Sequence, residues 1–191
     1  MMTLNEPHQL GKTGKEGTVY LEKYIVDGKE TDCAKKVFKS GKSVNRVQRE
    51  AKFQNDAASY DVAPKIYNID LSNPPSITME KMDKTIIEIL KEQNGSLTDK
   101  QQKDILNLYQ KLDNNGLLHN DANPLNLMIK GNEWKLIDYG FSKKITKKHG
   151  QYPNLNISLN LLLNSMNGLI TRKYLIESPL ILLNALENKC Y

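Results

Sequence analysis

Residues 117–144 read LLHNDANPLNLMIKGNEWKLIDYGFSKK. Asn126 stands five positions after Asp121, and Asp138 twelve positions after Asn126. Between them, Leu125, Leu127 and Ile129 alternate with polar neighbours, and so do Trp134 and Leu136 beyond Gly131-Asn132. Alternation on both sides of a Gly-Asn turn predicts a small hairpin. Such a hairpin would hold Asp121 and Asn126 at a fixed separation from Asp138. Their carboxylate and amide oxygens are hard donors, suited to a divalent cation. Gly140 permits a turn directly after Asp138.

Upstream, Gly14 and Gly17 lie in Leu10–Tyr20, where turn residues give way to the strand-like Val19-Tyr20-Leu21. Gly11 is also there, and Lys12 precedes Thr13. After a turn at Asp27-Gly28, Cys33–Phe38 reads as a second strand. It would place Ala34, Lys36 and Phe38 on one face and Lys35 on the other. Ser43 is a candidate cap for a helix over 44–58, on which Val47, Glu50, Ala51 and Gln54 share a face. A glutamate on that face needs a partner, because an isolated buried charge is costly. Further on, 63–69 and 76–82 read as strands separated by Pro74-Pro75. Residues 85–94 read as a short helix. A longer one, capped by Thr98, covers 99–114 and stops at Asn115-Gly116. After Pro153, Leu155, Leu159, Leu162 and Met166 share a helical face, with Asn167-Gly168 as the expected stop. Ser178 and Pro179 would open a last helix.

With 191 residues, 39% hydrophobic and 26% charged, the composition is that of a globular protein with one substantial core or two small lobes. No apolar run reaches the roughly 18–20 residues of a membrane span. Residues 1–14 lack the apolar centre of a signal peptide. The two cysteines, Cys33 and Cys190, form no metal-type cluster, so a reducing, cytoplasmic compartment is expected. The formal charge is +5. Lys143, Lys144, Lys147, Lys148, Arg172, Lys173 and Lys189 follow Asp138, whereas only Glu177 and Glu187 are acidic there. An anionic partner and a solvated lysine face both fit that excess. No nucleic-acid motif accompanies it.

The order His119-x-Asp121-x-x-x-x-Asn126 followed by Asp138-Tyr139-Gly140 resembles the catalytic loop and metal-binding motif of the eukaryotic-like protein kinase family. The resemblance runs from about Leu10 to Phe141. It implies an α+β, two-lobed fold: an N-lobe with an antiparallel sheet and one main helix, and a reduced, mostly helical C-lobe. The expected boundaries are 1–82 for N-lobe and hinge and 83–191 for C-lobe. ATP and Mg²⁺ are the implied cofactors. Asp121 is the implied catalytic base, with Lys36 and Glu50 as the phosphate-binding pair. Gly14, Gly17 and Val19 would form the nucleotide loop. Met79, Glu80 and Met82 would meet the adenine, and Asn126 and Asp138 the metal. The implied partners are a protein substrate carrying a serine or threonine hydroxyl and a regulatory protein. The short tail is similar to minimal kinases of large DNA viruses and bacterial effectors; the implied location is the cytoplasm, that of a host cell if the chain is viral or an effector.

Several positions depart from the family pattern. Lys12 replaces the first loop glycine, Asn120 the usual arginine, and Asn123 a lysine common in Ser/Thr kinases. Tyr139 replaces phenylalanine. No Ala-Pro-Glu follows Gly140, and no aspartate is available to anchor the catalytic loop from a later helix. A small-molecule kinase and a kinase-shaped nucleotide-binding scaffold therefore remain alternatives to a serine/threonine protein kinase.

Overall fold

The computed structural model describes residues 8–121, 123–171 and 179–188. The chain opens with β1 (Gly17–Val26) and β2 (Lys29–Phe38). They are joined through Asp27 and Gly28, both at positive φ (50° and 77°). A two-residue turn of this kind matches the right-handed twist of a hairpin, and Asp-Gly tolerates it. β3 (Ile66–Asp70) and β4 (Ser76–Glu80) complete an antiparallel sheet in the order β1-β2-β4-β3. Gln9 bridges Tyr20. Bonds from Leu10 N–H to the Val19 carbonyl and from Leu21 N–H to the His8 carbonyl, each 2.7 Å, extend the sheet beyond β1.

The helix α1 (Val44–Ala58) lies against this sheet. Val47 and Ala51 pack with Phe38, Ile77 and Met79 into a small core, while Phe53 and Ala57, further along the same helix, join the large core. Ser43 makes no side-chain cap. Its carbonyl instead accepts the amides of Arg46 and Val47 (2.9 and 3.2 Å), so the helix starts on backbone bonds.

The large core is built by helices and a hairpin. After β5 (Lys84–Thr85) come α2 (Ile86–Glu92) and α3 (Asp99–Asn114). Each helix begins with a reciprocal capping box, Thr85 with Glu88 and Thr98 with Gln101. β6 (Leu117–Leu118) leads into the catalytic-loop segment. β7 (Leu127–Lys130) and β8 (Glu133–Leu136) form the expected hairpin, with β5 along its other edge. Leu125 does not belong to it. That residue sits in a 3₁₀ turn over Pro124–Asn126 and is exposed, because the chain must turn before the strand can start. β9 (Lys143–Lys144) pairs with β6. A π-helical turn, Asn154–Ser158, continues into α4 (Leu159–Thr171), and α5 (Leu180–Asn188) follows. Contrary to expectation, α4 runs through Asn167-Gly168. The apolar face of Leu155, Leu159, Leu162 and Met166 is buried ahead of that pair and carries the helix past it. Each such fully buried side chain contributes roughly 1.5–3 kcal/mol. Arg172, Lys173, Glu177, Ser178, Lys189 and Cys190 lie outside the described residues.

The architecture is thus α+β: an antiparallel sheet with one main helix, then a mostly helical part around a second core. No described helix is long and apolar enough to cross a membrane.

Candidate active site

β2 delivers Lys36 to the inner face of the sheet, paired in register with Val19 on one side and Ile77 on the other. Its ammonium lies 2.6 Å from Glu50 Oε1 and 3.0 Å from Asp138 Oδ1, and 5.0 Å from the centre of the Phe38 ring. Lys35 faces the opposite way and pairs with Glu22 at 2.7 Å. Only 12% of the Lys36 side chain and 2% of Glu50 are exposed. Burial alone would lower the Lys36 pKa, but the carboxylates of Glu50 and Asp138 outweigh it and the net shift is upward. Lys36 therefore stays charged. Burial pushes the Glu50 carboxyl up, only partly offset by Lys36. Glu50 Oε2 is buried and makes no hydrogen bond among the described residues, and neither does Oε2 of Glu16. Both point at Gly140. A Cβ there would come within 3.1 Å of Glu16 Oε2 and 3.3 Å of Glu50 Oε2, so a larger residue would crowd these carboxylates.

The second half of the site follows β6. Asp121 accepts the Asn126 amide at its Oδ2 (2.9 Å) and at its carbonyl (3.2 Å). The Asn126 carbonyl accepts the amide of Ile137 at 2.9 Å, which ties the loop to the residue before Asp138. Asp138 is itself left-handed (φ 66°). For a non-glycine residue this costs free energy and persists only where its surroundings enforce it. Asn123, at a position where a lysine is common, caps the 3₁₀ turn by accepting Leu125 N–H at 2.9 Å. Asn120 is also left-handed (φ 63°) and donates to the Phe141 carbonyl at 3.4 Å. His119 is fully buried. Its Nε2 meets the Ile137 carbonyl at 3.1 Å and its ring packs edge-on against Tyr139, with centres 4.8 Å apart. Burial lowers its pKa.

Gly14 and Gly17, the glycines of the expected nucleotide loop, serve different ends. Gly17 starts β1 opposite Phe38, and a Cβ there would sit 2.2 Å from the Val37 carbonyl oxygen, so close strand approach requires glycine. At Gly14 the nearest atom would be 3.4 Å away, an ordinary contact. In the expected adenine segment, Met79 is buried against Gln54, and Glu80 pairs with Lys130 at 2.7 Å. The Glu80 amide already donates to the Lys65 carbonyl at 2.8 Å, so it is not free for a ligand. Met82 is buried, and its amide meets no acceptor among the described residues.

The candidate donors are all oxygens: the carboxylates of Glu16, Glu50 and Asp138, which lie within 4.8 Å of one another, and the side-chain oxygen of Asn126. That set fits Mg²⁺ rather than a softer metal.

Three groups escaped the sequence reading. Asn154 is buried beneath the segment that carries His119 and Asp121. Its Oδ1 accepts His119 N–H (3.0 Å), and its Nδ2 donates to the Leu117 carbonyl (2.7 Å) and to Asp113 Oδ1 (2.8 Å). Asp113 also accepts the backbone amides of Asn154 and Leu155. The loop is thus anchored from a later helical segment after all, by an asparagine oriented by an aspartate on α3. Arg49, next to Glu50, stacks on Phe53 and donates to the Ser142 carbonyl at 2.8 Å, joining α1 to the segment after Gly140. Glu16 and Lys42 form a third pair at 2.6 Å. No spacing rule marks any of these, because each joins segments far apart in the chain.

Comparison with curated proteins gives no match. Comparison with known families gives a match to the protein kinase domain over residues 4–175, which contains both halves of the site. A buried lysine shared by a helix glutamate and an aspartate 102 positions downstream, in a chain matched over that span, leaves one assignment: the protein belongs to the protein kinase family.

Proposed function

We propose that the protein is an ATP- and Mg²⁺-dependent serine/threonine protein kinase. The observation that carries this is the placement of Lys36 between Glu50 and Asp138. A charged lysine held by two carboxylates, one of them a metal-ligand candidate, is arranged to meet phosphate oxygens beside a cation. Lys36 binds the α- and β-phosphates, and Glu50 fixes its position. Asn126 and Asp138 would hold Mg²⁺, which would supply neutralisation of the charge on the phosphates. Asp121, oriented by the Asn126 amide, aligns the acceptor hydroxyl and takes its proton. Gly14, Gly17 and Val19 cover the phosphates. The Glu80 carbonyl and Met82 backbone receive the adenine edge beside Met79. The N-lobe and hinge comprise residues 1–82 and the C-lobe 83–191. The setting is the cytoplasm, with a protein substrate and a regulatory protein as partners.

The test is transfer of label from γ-labelled ATP to proteins, by wild type and by Asp121→Ala. Labelling that needs Mg²⁺ and disappears in the variant is expected. Equal labelling by both would sink the assignment of Asp121. Labelling of metabolites alone would move the protein to small-molecule kinases. Nucleotide binding without turnover would make it a scaffold.

A further inference from the structure

Glu16 lies in the nucleotide loop between Gly14 and Gly17, and three bonds fix its surroundings. Gly14 N–H donates to the Gly17 carbonyl at 2.8 Å, closing the loop on itself. The Glu16 carbonyl accepts Lys39 N–H at 2.9 Å, and its Oε1 accepts the Lys42 ammonium at 2.6 Å. Lys42 stands at the end of a turn closed by its own amide on the Lys39 carbonyl (3.1 Å), and it lies over the Phe38 ring at 5.6 Å. Phe38 thus carries two ammonium groups, Lys36 and Lys42, whose side chains are only 12% and 13% exposed.

Charge decides what Lys42 does. Carboxylate oxygens of Glu16, Glu50 and Asp138 lie within 4.8 Å of one another. Lys36 answers Glu50 and Asp138, leaving Lys42 as the cation bonded to Glu16. Without Lys42, three carboxylates would share one ammonium, and repulsion would drive Glu16 away. Glu16 belongs to the loop, so the loop would leave with it.

We propose that Glu16 and Lys42 form a latch that holds the nucleotide loop down on the cleft, and that Lys42 thereby positions the loop for the phosphates of ATP. The latch stands on the geometry alone; its effect on ATP rests on the kinase reading above. Lys42 acts through Glu16, so its loss weakens nucleotide capture rather than the transfer step.

Hydrogen exchange on the full chain without nucleotide tests the latch. In Lys42→Met, the bonded amides of Gly14 and Lys39 are expected to exchange about tenfold faster, with those of α3 unchanged. Lys42→Arg, which keeps the pair, should exchange like wild type. Glu16→Ala should speed the same amides, and it decides the question if Lys42→Met unfolds and α3 exchanges faster too. Loop exchange within about twofold of wild type in these disrupting variants, or Lys42→Arg as fast as Lys42→Met, overturns the latch. In transfer assays, Lys42→Met should raise the ATP KM about tenfold and change kcat less than about twofold. A fall in kcat with KM unchanged overturns the positioning role. If wild type transfers no phosphate, the kinase reading and the positioning role fall together, and exchange still decides the latch.

Discussion

Asn154 accepts the backbone amide of His119 at 3.0 Å while its own amide nitrogen donates to Asp113 at 2.8 Å. Both ends of one side chain are therefore committed, and only an asparagine-type group can accept on one side and donate on the other. Asn154→Asp would set two carboxylates face to face in a buried place. It should destabilise the protein by about 2–4 kcal/mol in urea unfolding. Adding Asp113→Asn restores a donor to the pair and should recover part of that loss. No recovery in the double variant would show that the two residues do not act as a pair.

Lys36→Met leaves the Glu50 carboxyl buried and without its partner cation. A loss of about 3–5 kcal/mol is expected, together with loss of transfer. Asp121→Ala removes a group that is only half-buried and should cost less than about 1.5 kcal/mol while also abolishing transfer. Thermal unfolding of the two variants side by side separates structural from chemical loss.

Arg49→Ala should lower transfer about tenfold without a comparable change in nucleotide affinity. Its bond to the Ser142 carbonyl ties α1 to the segment after Gly140, which follows Asp138 by four residues at Ser142. Equal activity in the variant would show that α1 and that segment hold their places independently.

Gly17→Ala and Gly14→Ala should differ. The first forces a methyl against the Val37 carbonyl and should cost about 1–3 kcal/mol, measured by thermal unfolding. The second meets only an ordinary contact and should be close to neutral in stability.

His119 is buried, with its pKa lowered by that burial, so the folded state favours the neutral ring. Below the ordinary value of 6.5 the unfolded chain binds a proton that the folded chain does not. Stability from this group is complete above that pH and declines as pH falls from there towards the lowered folded-state value. The limiting slope is about 1.4 kcal/mol per pH unit. His119→Gln should flatten the stability–pH curve in this window, as read by urea unfolding from pH 7.5 downwards.

Much of this arrangement was legible because it depends on local periodicity. The faces of β2 and α1 follow from steps of two and of three or four, and the resemblance to the kinase pattern then pairs Lys36 with Glu50, as the 2.6 Å contact has it. The Thr98 cap and the hairpin turn follow from equally local chemistry. Asn154 and Arg49 were hidden because their partners lie 35 to 93 positions away and no short pattern encodes such a contact. The constraint on Gly17 was hidden for the same reason: its requirement for glycine comes from close approach to the Val37 carbonyl, twenty positions on. The end of α4 was misplaced because burial of a leucine face outweighs one Asn-Gly pair.

One helix serves both cores. Val47 and Ala51 are sealed under the sheet, and Phe53 and Ala57 are sealed among the helices of the other part. Glu50 sits within the first of these anchors, between Val47 and Ala51, with the second just beyond it, and Arg49 adds a third tie. A lever fixed at both ends makes a poor switch: swinging Glu50 away from Lys36 would pull apart two packed interiors at once. Regulation of such a molecule falls more readily on the parts that are only tied down at the surface.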